Sequence, residues 1–173
     1  MVIWVIGLSA SGKTTLGRHI YEELKKVKTN TVFIDGDEIR QIFKHDQGNS
    51  PYTLEGRRIN ADRICEMCAW LDRQDINVVC CILSVFEESR QWNRKTYSSY
   101  FEVYIDVPME ILKTRETKGL YAAAHRGEIK NVVGVDITFT APKNPDYIFD
   151  NSKDNVDFKK AAQDILTKAM QES

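Results

Sequence analysis

No stretch of this 173-residue chain approaches the apolar length that a membrane span needs, so a membrane partner is not expected. The apolar N-terminal run is too short for a secretory signal and has no basic lead-in, which points to a cytoplasmic protein. Excess charge is lacking too. Against 24 basic residues stand 25 acidic ones, and a net charge of −1 gives no general basic field for nucleic acid. His19, His45 and His125 stand singly, without metal-ligand spacing. The four cysteines do not supply that spacing either: Cys65 and Cys68 are one turn apart in a helical pattern, while Cys80 and Cys81 are strand neighbours leaving on opposite faces. A zinc site would need all four to converge, and a redox pair normally opens a helix, so buried reduced thiols are expected. Repeats, low-complexity tracts and linkers are missing. What remains, 42% hydrophobic and 28% charged, is the composition of one domain, 1–173, with a single core.

What is present begins at once. Gly7-Leu8-Ser9-Ala10-Ser11-Gly12-Lys13-Thr14 completes the phosphate-loop pattern GxxxxGK[ST]. The continuous apolar run Val2 to Ile6 precedes it, as for a strand buried on both faces, and Leu16, Ile20, Leu24 and Val27 follow at helical spacing. In that context the glycines let backbone N–H groups turn inward onto phosphate oxygens, Lys13 brings a mobile charge, and the Thr14 hydroxyl is a ligand for Mg²⁺. Gly7, Ser9, Ala10, Ser11, Gly12, Lys13, Thr14 and Thr15 are the expected nucleoside triphosphate contacts.

The remainder alternates strands with helices: a strand over 31–35, a short helix with Ile39, Ile42 and Phe43, and a turn region at 47–51. A long helix over 54–72 comes next, then strands over 77–83 and 101–107 and a helix over 108–115 with Pro108 at its start. A short strand over 147–149 precedes a last helix carrying Val156, Ala161, Ile165, Leu166 and Met170. This spacing predicts an α/β protein, the three-layer P-loop NTPase fold, with a parallel sheet and helices on both faces. Ligands then gather at the carboxyl ends of the strands. Asp35-Gly36-Asp37 with Arg40 follows the second strand, and Ser84-Val85-Phe86 the third. Residues 117–142, basic and without periodicity, suit a lid. Asp35 and Asp37 leave a continuing strand on the same face, so one can serve the metal and the other an attacking hydroxyl. A solvated turn with a helix N-cap is the plainer alternative.

These residues resemble the adenylylsulfate kinase family over nearly the whole chain. The resemblance rests on GLSASGKTT, Asp35-Gly36-Asp37 with Arg40, Lys118-Gly119-Leu120-Tyr121, Arg126 to Lys130, Gly134-Val135-Asp136 and Ala141-Pro142. It implies ATP and Mg²⁺, with the γ-phosphoryl group moving to the 3′-hydroxyl of a small-molecule nucleotide acceptor, and it implies a homodimer. Asp37 then matches the catalytic carboxylate, with Asp35 near the metal and Lys13 on the phosphates. Arg40, Tyr52, Arg57, Asn60, Leu83, Lys118 and Val132 fall at acceptor positions. Ser84 matches a serine that some members phosphorylate, and joins Asp37 and Lys13 among the catalytic candidates.

Departures from the family concern the acceptor. The pattern ISP[YF]R reads Leu83-Ser84-Val85-Phe86-Glu87, and a phenylalanine that pairs with the Tyr52 position to sandwich adenine is here Val132. Losing one face of that sandwich costs about 1 kcal/mol beyond the lost area. Two acceptors stay open: adenylylsulfate, or the cytidine diphosphoramidate used by a branch of the family in capsule synthesis. The weakened purine sandwich favours the second. A nucleotide-binding module without chemistry, or a kinase acting on a protein or sugar, is a more distant alternative.

Overall fold

The structure, a computed structural model, describes residues 1–171, so the last two residues of the expected domain lie outside the described ones. Five strands, β1 (Val2–Ile6), β2 (Thr31–Asp35), β3 (Asn77–Ile82), β4 (Tyr100–Asp106) and β5 (Tyr147–Asp150), form one sheet in the order β2-β3-β1-β4-β5. Every pairing is parallel. Seven helices connect or follow them: α1 (Lys13–Val27), α2 (Gly36–Ile42), α3 (Leu54–Asp72), α4 (Glu87–Thr96), α5 (Met109–Arg115), α6 (Leu120–His125) and α7 (Phe158–Gln171). A 3₁₀ turn at Ser50–Tyr52 leads into α3.

The central strand shows why the sheet needs two covers. Ile3 and Val5 point to one face and pack with Leu16, Ile20 and Leu24 of α1 and Ile165 of α7. Val2, Trp4 and Ile6 point to the other and pack with Ile39 of α2 and Ile64 and Cys68 of α3. The single core expected is thus two apolar layers divided by the sheet. Cys80 and Cys81 part as strand neighbours must, Cys80 joining Cys65 and Cys68 on the α3 side and Cys81 lying on the α1 side. All four are unpaired and buried, and burial pushes the Cys65 thiol up to about 12. Among the described residues no helix is long and apolar enough to cross a membrane.

The expected elements recur within a residue or two, with three corrections. Val27, Ile42 and Phe43 sit on helix ends and are exposed, although their spacing counted them as core. Val156 precedes α7 rather than belonging to it. Two helices were not expected at all, α4 and, inside the 117–142 segment, α6.

The close fit of α3 against the 3₁₀ turn fixes where the segment after β2 comes to rest. A Cβ on Gly56 would lie 2.7 Å from the Pro51 carbonyl carbon and also meet the Ser50 carbonyl, both backbone. Gly56→Ala should therefore cost about 2 kcal/mol in urea-unfolding stability, as overpacking against rigid atoms does; a change below about 0.5 kcal/mol would show that the turn yields freely.

Candidate active site

The chain leaves β1 at Ile6 and curls around the start of α1. Gly7 is buried, and a Cβ there would lie 2.5 Å from Ser11 Oγ. Gly12, at φ 95°, takes the left-handed conformation at the N-cap of α1 that glycine adopts without strain. The Ser11 amide donates to the Leu8 carbonyl at 3.2 Å, closing the loop. Lys13 Nζ donates to the same carbonyl at 2.7 Å. Burial pushes the Lys13 ammonium below the usual lysine range, against the opposing pull of Cys81, Asp37 and Asp35. Thr14 and Thr15 are exposed on the first turn of α1.

Asp35 ends β2 and caps the helix that follows, the plainer of the roles considered for it. Its Oδ1 accepts the Asp37 amide at 2.9 Å as the N-cap of α2, and its Oδ2 accepts the Thr14 hydroxyl at 2.8 Å. A carboxylate and a hydroxyl are the hard oxygen donors Mg²⁺ takes. Among the described residues no cluster of three or more His, Cys, Asp or Glu could hold a metal. The Asp37 carboxylate is exposed, and its charge acts on both Lys13 and Arg57. It therefore stands between the phosphate loop and the basic residues of the opposite wall.

That wall is built by α2, the 3₁₀ turn and α3. Arg40 is buried and donates to the Pro51 carbonyl at 2.8 Å, while its Nε has no partner among the described residues. Its guanidinium lies 5.1 Å from the Tyr52 ring centre, and that of Arg57 lies 5.8 Å from it. Arg57 Nε donates to the Tyr52 carbonyl and Nη2 to the Asn131 carbonyl, each at 2.8 Å. Burial, and then the neighbouring Arg40, hold Arg57 below the usual arginine range. Asn60 is buried one helical turn on, reaching the Gly36 carbonyl at 3.4 Å while its Oδ1 lacks a protein partner among the described residues.

The side chains of other expected site residues are turned inward or stand apart from this wall. Val132 is 4% exposed and belongs to the apolar layer with Tyr121 and Leu112, so its side chain is core rather than pocket wall. The Ser84 hydroxyl is buried and accepts from Trp4 Nε1 at 3.2 Å, an inward contact that does not display it for chemistry. Leu83 is half-buried beside it. The Lys118 ammonium is exposed and makes no hydrogen bond or ion pair among the described residues, although its amide donates to Glu116 at 2.8 Å.

Three side chains that were not picked out hold the site together. The Tyr121 hydroxyl of α6 donates to the Ser9 carbonyl at 3.0 Å, and Asn151 Nδ2 donates to the Ser11 carbonyl at 2.9 Å. Arg115 in turn reaches the Asn151 carbonyl at 2.6 Å. Asn151, Arg115, Val156 and Phe158 line a cavity of about 370 Å³ that opens beside Ala10 and Gly12. Tyr121 belongs to the Lys118-Gly119-Leu120-Tyr121 motif, whereas a lone Asn151 after a strand carries no signal of its own.

A phosphate loop, a carboxylate pair at the next strand end and an arginine-lined wall define a P-loop phosphotransferase. Comparison with known proteins sharpens the class: the adenylylsulphate kinase family model matches residues 1–150, and the chain belongs to that family. It is 40% identical over 151 residues, 87% of this chain and 86% of the other, to a cytidine diphosphoramidate kinase of Campylobacter jejuni. It is 34% identical over 157 residues, 91% of this chain and 83% of the other, to an adenylyl-sulfate kinase of Halothermothrix orenii. The solved APS kinase of Mycobacterium tuberculosis, in complex with AMPPNP and APS, superposes with a TM-score of 0.84 at 28% identity, covering 98% of this chain and 96% of that one. The protein is thus a kinase that phosphorylates a nucleotide hydroxyl.

One carboxylate holds the turn at residues 131–136. Asp136 accepts the Asn131 amide at 2.5 Å and the Val132 amide at 2.6 Å. Desolvation pushes its carboxyl up, but these hydrogen bonds outweigh it and hold it below the usual aspartate range. A depressed pKa makes the stabilisation complete above the unfolded value and lost only as pH falls through the folded one. Hydrogen-exchange protection at the Asn131 and Val132 amides should persist down to the ordinary aspartate pKa of about 3.9, fade only below it, and be lost in Asp136→Asn. Unchanged protection in that variant would show that the turn does not depend on the carboxylate.

Proposed function

We propose that this chain, acting as one kinase domain with residues 117–142 as its lid, transfers the γ-phosphoryl group of ATP to the 3′-hydroxyl of cytidine diphosphoramidate. The observation that carries the choice of acceptor is the burial of Val132. A valine is small enough to drop into the core layer, which leaves Tyr52 with arginines but no second ring across a purine. A smaller pyrimidine loses less by that absence. The similarity to the Campylobacter jejuni cytidine diphosphoramidate kinase supports the same reading. A role in capsule synthesis, a cytoplasmic location and a homodimer belong with it. Adenylylsulfate is the second reading, with a role in sulfate activation. It is favoured by the intact Arg40, Tyr52, Arg57 and Asn60 set and by similarity to adenylyl-sulfate kinases.

Each residue then has a task. The loop amides and Lys13 grip the triphosphate, Lys13 exchanging its bond to the Leu8 carbonyl for phosphate oxygen. Thr14 and Asp35 would hold magnesium, which would supply charge neutralisation for the triphosphate. Arg40 and Arg57 bind the anionic end of the acceptor, and that negative charge relieves the mutual repulsion of the two guanidiniums. Asn60 Oδ1 takes a donor from the nucleotide. Asp37 orients the 3′-hydroxyl and accepts its proton late, because phosphoryl transfer is loose and positioning dominates it. Lid closure brings Lys118 over the acceptor and excludes water.

Side-by-side kcat/KM values for cytidine diphosphoramidate and adenylylsulfate test the acceptor. A strong preference for the cytidine compound is expected, and a strong preference for adenylylsulfate would move the enzyme to sulfate activation. Lys13→Ala should lower kcat by about 10³-fold and Asp37→Asn by at least about 10²-fold, with circular dichroism unchanged. Near-normal turnover in either variant contradicts the mechanism. In Val132→Phe the ring exceeds the space valine fills and turns out toward Tyr52, so the kcat/KM ratio should shift about tenfold toward adenylylsulfate. An unshifted ratio would show that residue 132 does not set base preference.

A further inference from the structure

Ser84 follows β3 in a conformation its side chain disfavours, with φ at 54° in the left-handed region. Two buried donors hold it there. Trp4 Nε1, from β1, donates to its hydroxyl at 3.2 Å, and Arg90 Nη1, from α4, donates to its carbonyl at 2.8 Å. Arg90 is 6% exposed, and its Nε lies 3.9 Å from Glu102 Oε2 on β4, a residue 4% exposed. Glu102 also accepts the Tyr100 hydroxyl at 2.7 Å and is the register partner of Trp4. Taking a guanidinium out of water is costly unless its charge is balanced and its N–H groups are used. Here Glu102 balances the charge and the Ser84 carbonyl takes one of the N–H groups.

The place of that carbonyl gives the arrangement its meaning. Register pairs Cys81 with Val5 of the strand that delivers the phosphate loop and with Asp35 of the strand that delivers the carboxylate pair. Residues 83–86 therefore emerge between donor and acceptor halves of the site. Valine at position 85 leaves this segment without the fixed φ of a proline. At its far end the Phe86 ring is covered by the Arg58 guanidinium at 3.6 Å.

We infer that Arg90, with Glu102 as its counter-ion, is a positioning residue for the acceptor: it fixes the backbone of residues 83–86 as a seat for the nucleotide without touching it. The inference rests on the reading of this sheet edge as the acceptor site. Arg90→Lys keeps the charge and loses the planar fork. Steady-state kinetics with ATP and with both cytidine diphosphoramidate and adenylylsulfate should show acceptor KM raised about tenfold for whichever acceptor the wild type uses, with ATP KM changed less than about twofold. Adding Ser84→Gly, which takes the left-handed conformation freely, should recover about threefold of that loss.

Glu102→Gln gives the same acceptor-selective rise and serves if Arg90→Lys does not fold. Failure of both to fold would make the pair merely structural and overturn the inference. So would a folded variant with unchanged acceptor KM, or with equal rises for ATP and acceptor. Hydrogen exchange at the amides of residues 85–87 should quicken in Arg90→Lys while residues 7–13 stay as in the wild type. That measurement needs no turnover: if the wild type phosphorylates neither acceptor, the functional reading fails and exchange alone decides whether Arg90 holds the segment.

Discussion

The hydrogen bond from the Thr14 hydroxyl to Asp35, 2.8 Å long, joins two parts of the chain that the sheet keeps apart. β1 and β2 are not neighbours, because β3 lies between them. The helix behind the phosphate loop also meets β2 and α2 through Arg18, which reaches Glu38 at 3.4 Å and covers the Phe33 ring. Asp35 spans the gap with its two oxygens, one on Thr14 and one on the Asp37 amide. The phosphate-loop helix and the segment that opens α2 thereby share a single carboxylate.

On the acceptor side the same economy recurs with cations. Arg40 and Arg57 approach one tyrosine ring, and each spends part of its guanidinium on a backbone carbonyl. Arg57 in addition grips the Asn131 carbonyl, so an arginine expected to hold the acceptor also anchors a turn of the 117–142 segment. Tyr121 anchors α6 to the phosphate loop at Ser9. Residues 117–142 are thus tied to the phosphate loop and to the arginine wall through hydrogen bonds to main-chain oxygens, which a change of side chains at their surface would leave in place.

Much of this could be read in the residues, for physical reasons that also explain what could not. The phosphate loop, the strand before it and the carboxylate pair after β2 are local patterns whose chemistry requires those residues in that order. Helix α4 escaped because its buried positions are Ser89, Arg90 and Asn93, so apolar periodicity had nothing to find. Helix α6 has six residues, too few for a period to show. Val132 was expected at the pocket because a family pattern fixes a position along the chain and not the direction of a smaller side chain. Ser84 misled for a related reason: its motif was recognisable, while the left-handed backbone that turns its hydroxyl toward Trp4 leaves no trace in composition.

The proposed event is the passage of a phosphoryl group from ATP to a nucleotide 3′-hydroxyl at the carboxyl ends of these strands. Phosphorus NMR of the protein incubated with ATP, magnesium and cytidine diphosphoramidate reads that event directly. Transfer yields a new phosphomonoester resonance coupled to the ribose H3′, growing one for one with ADP. Release of ADP and inorganic phosphate with the nucleotide unchanged, or a phosphate attached at another ribose position, would contradict it.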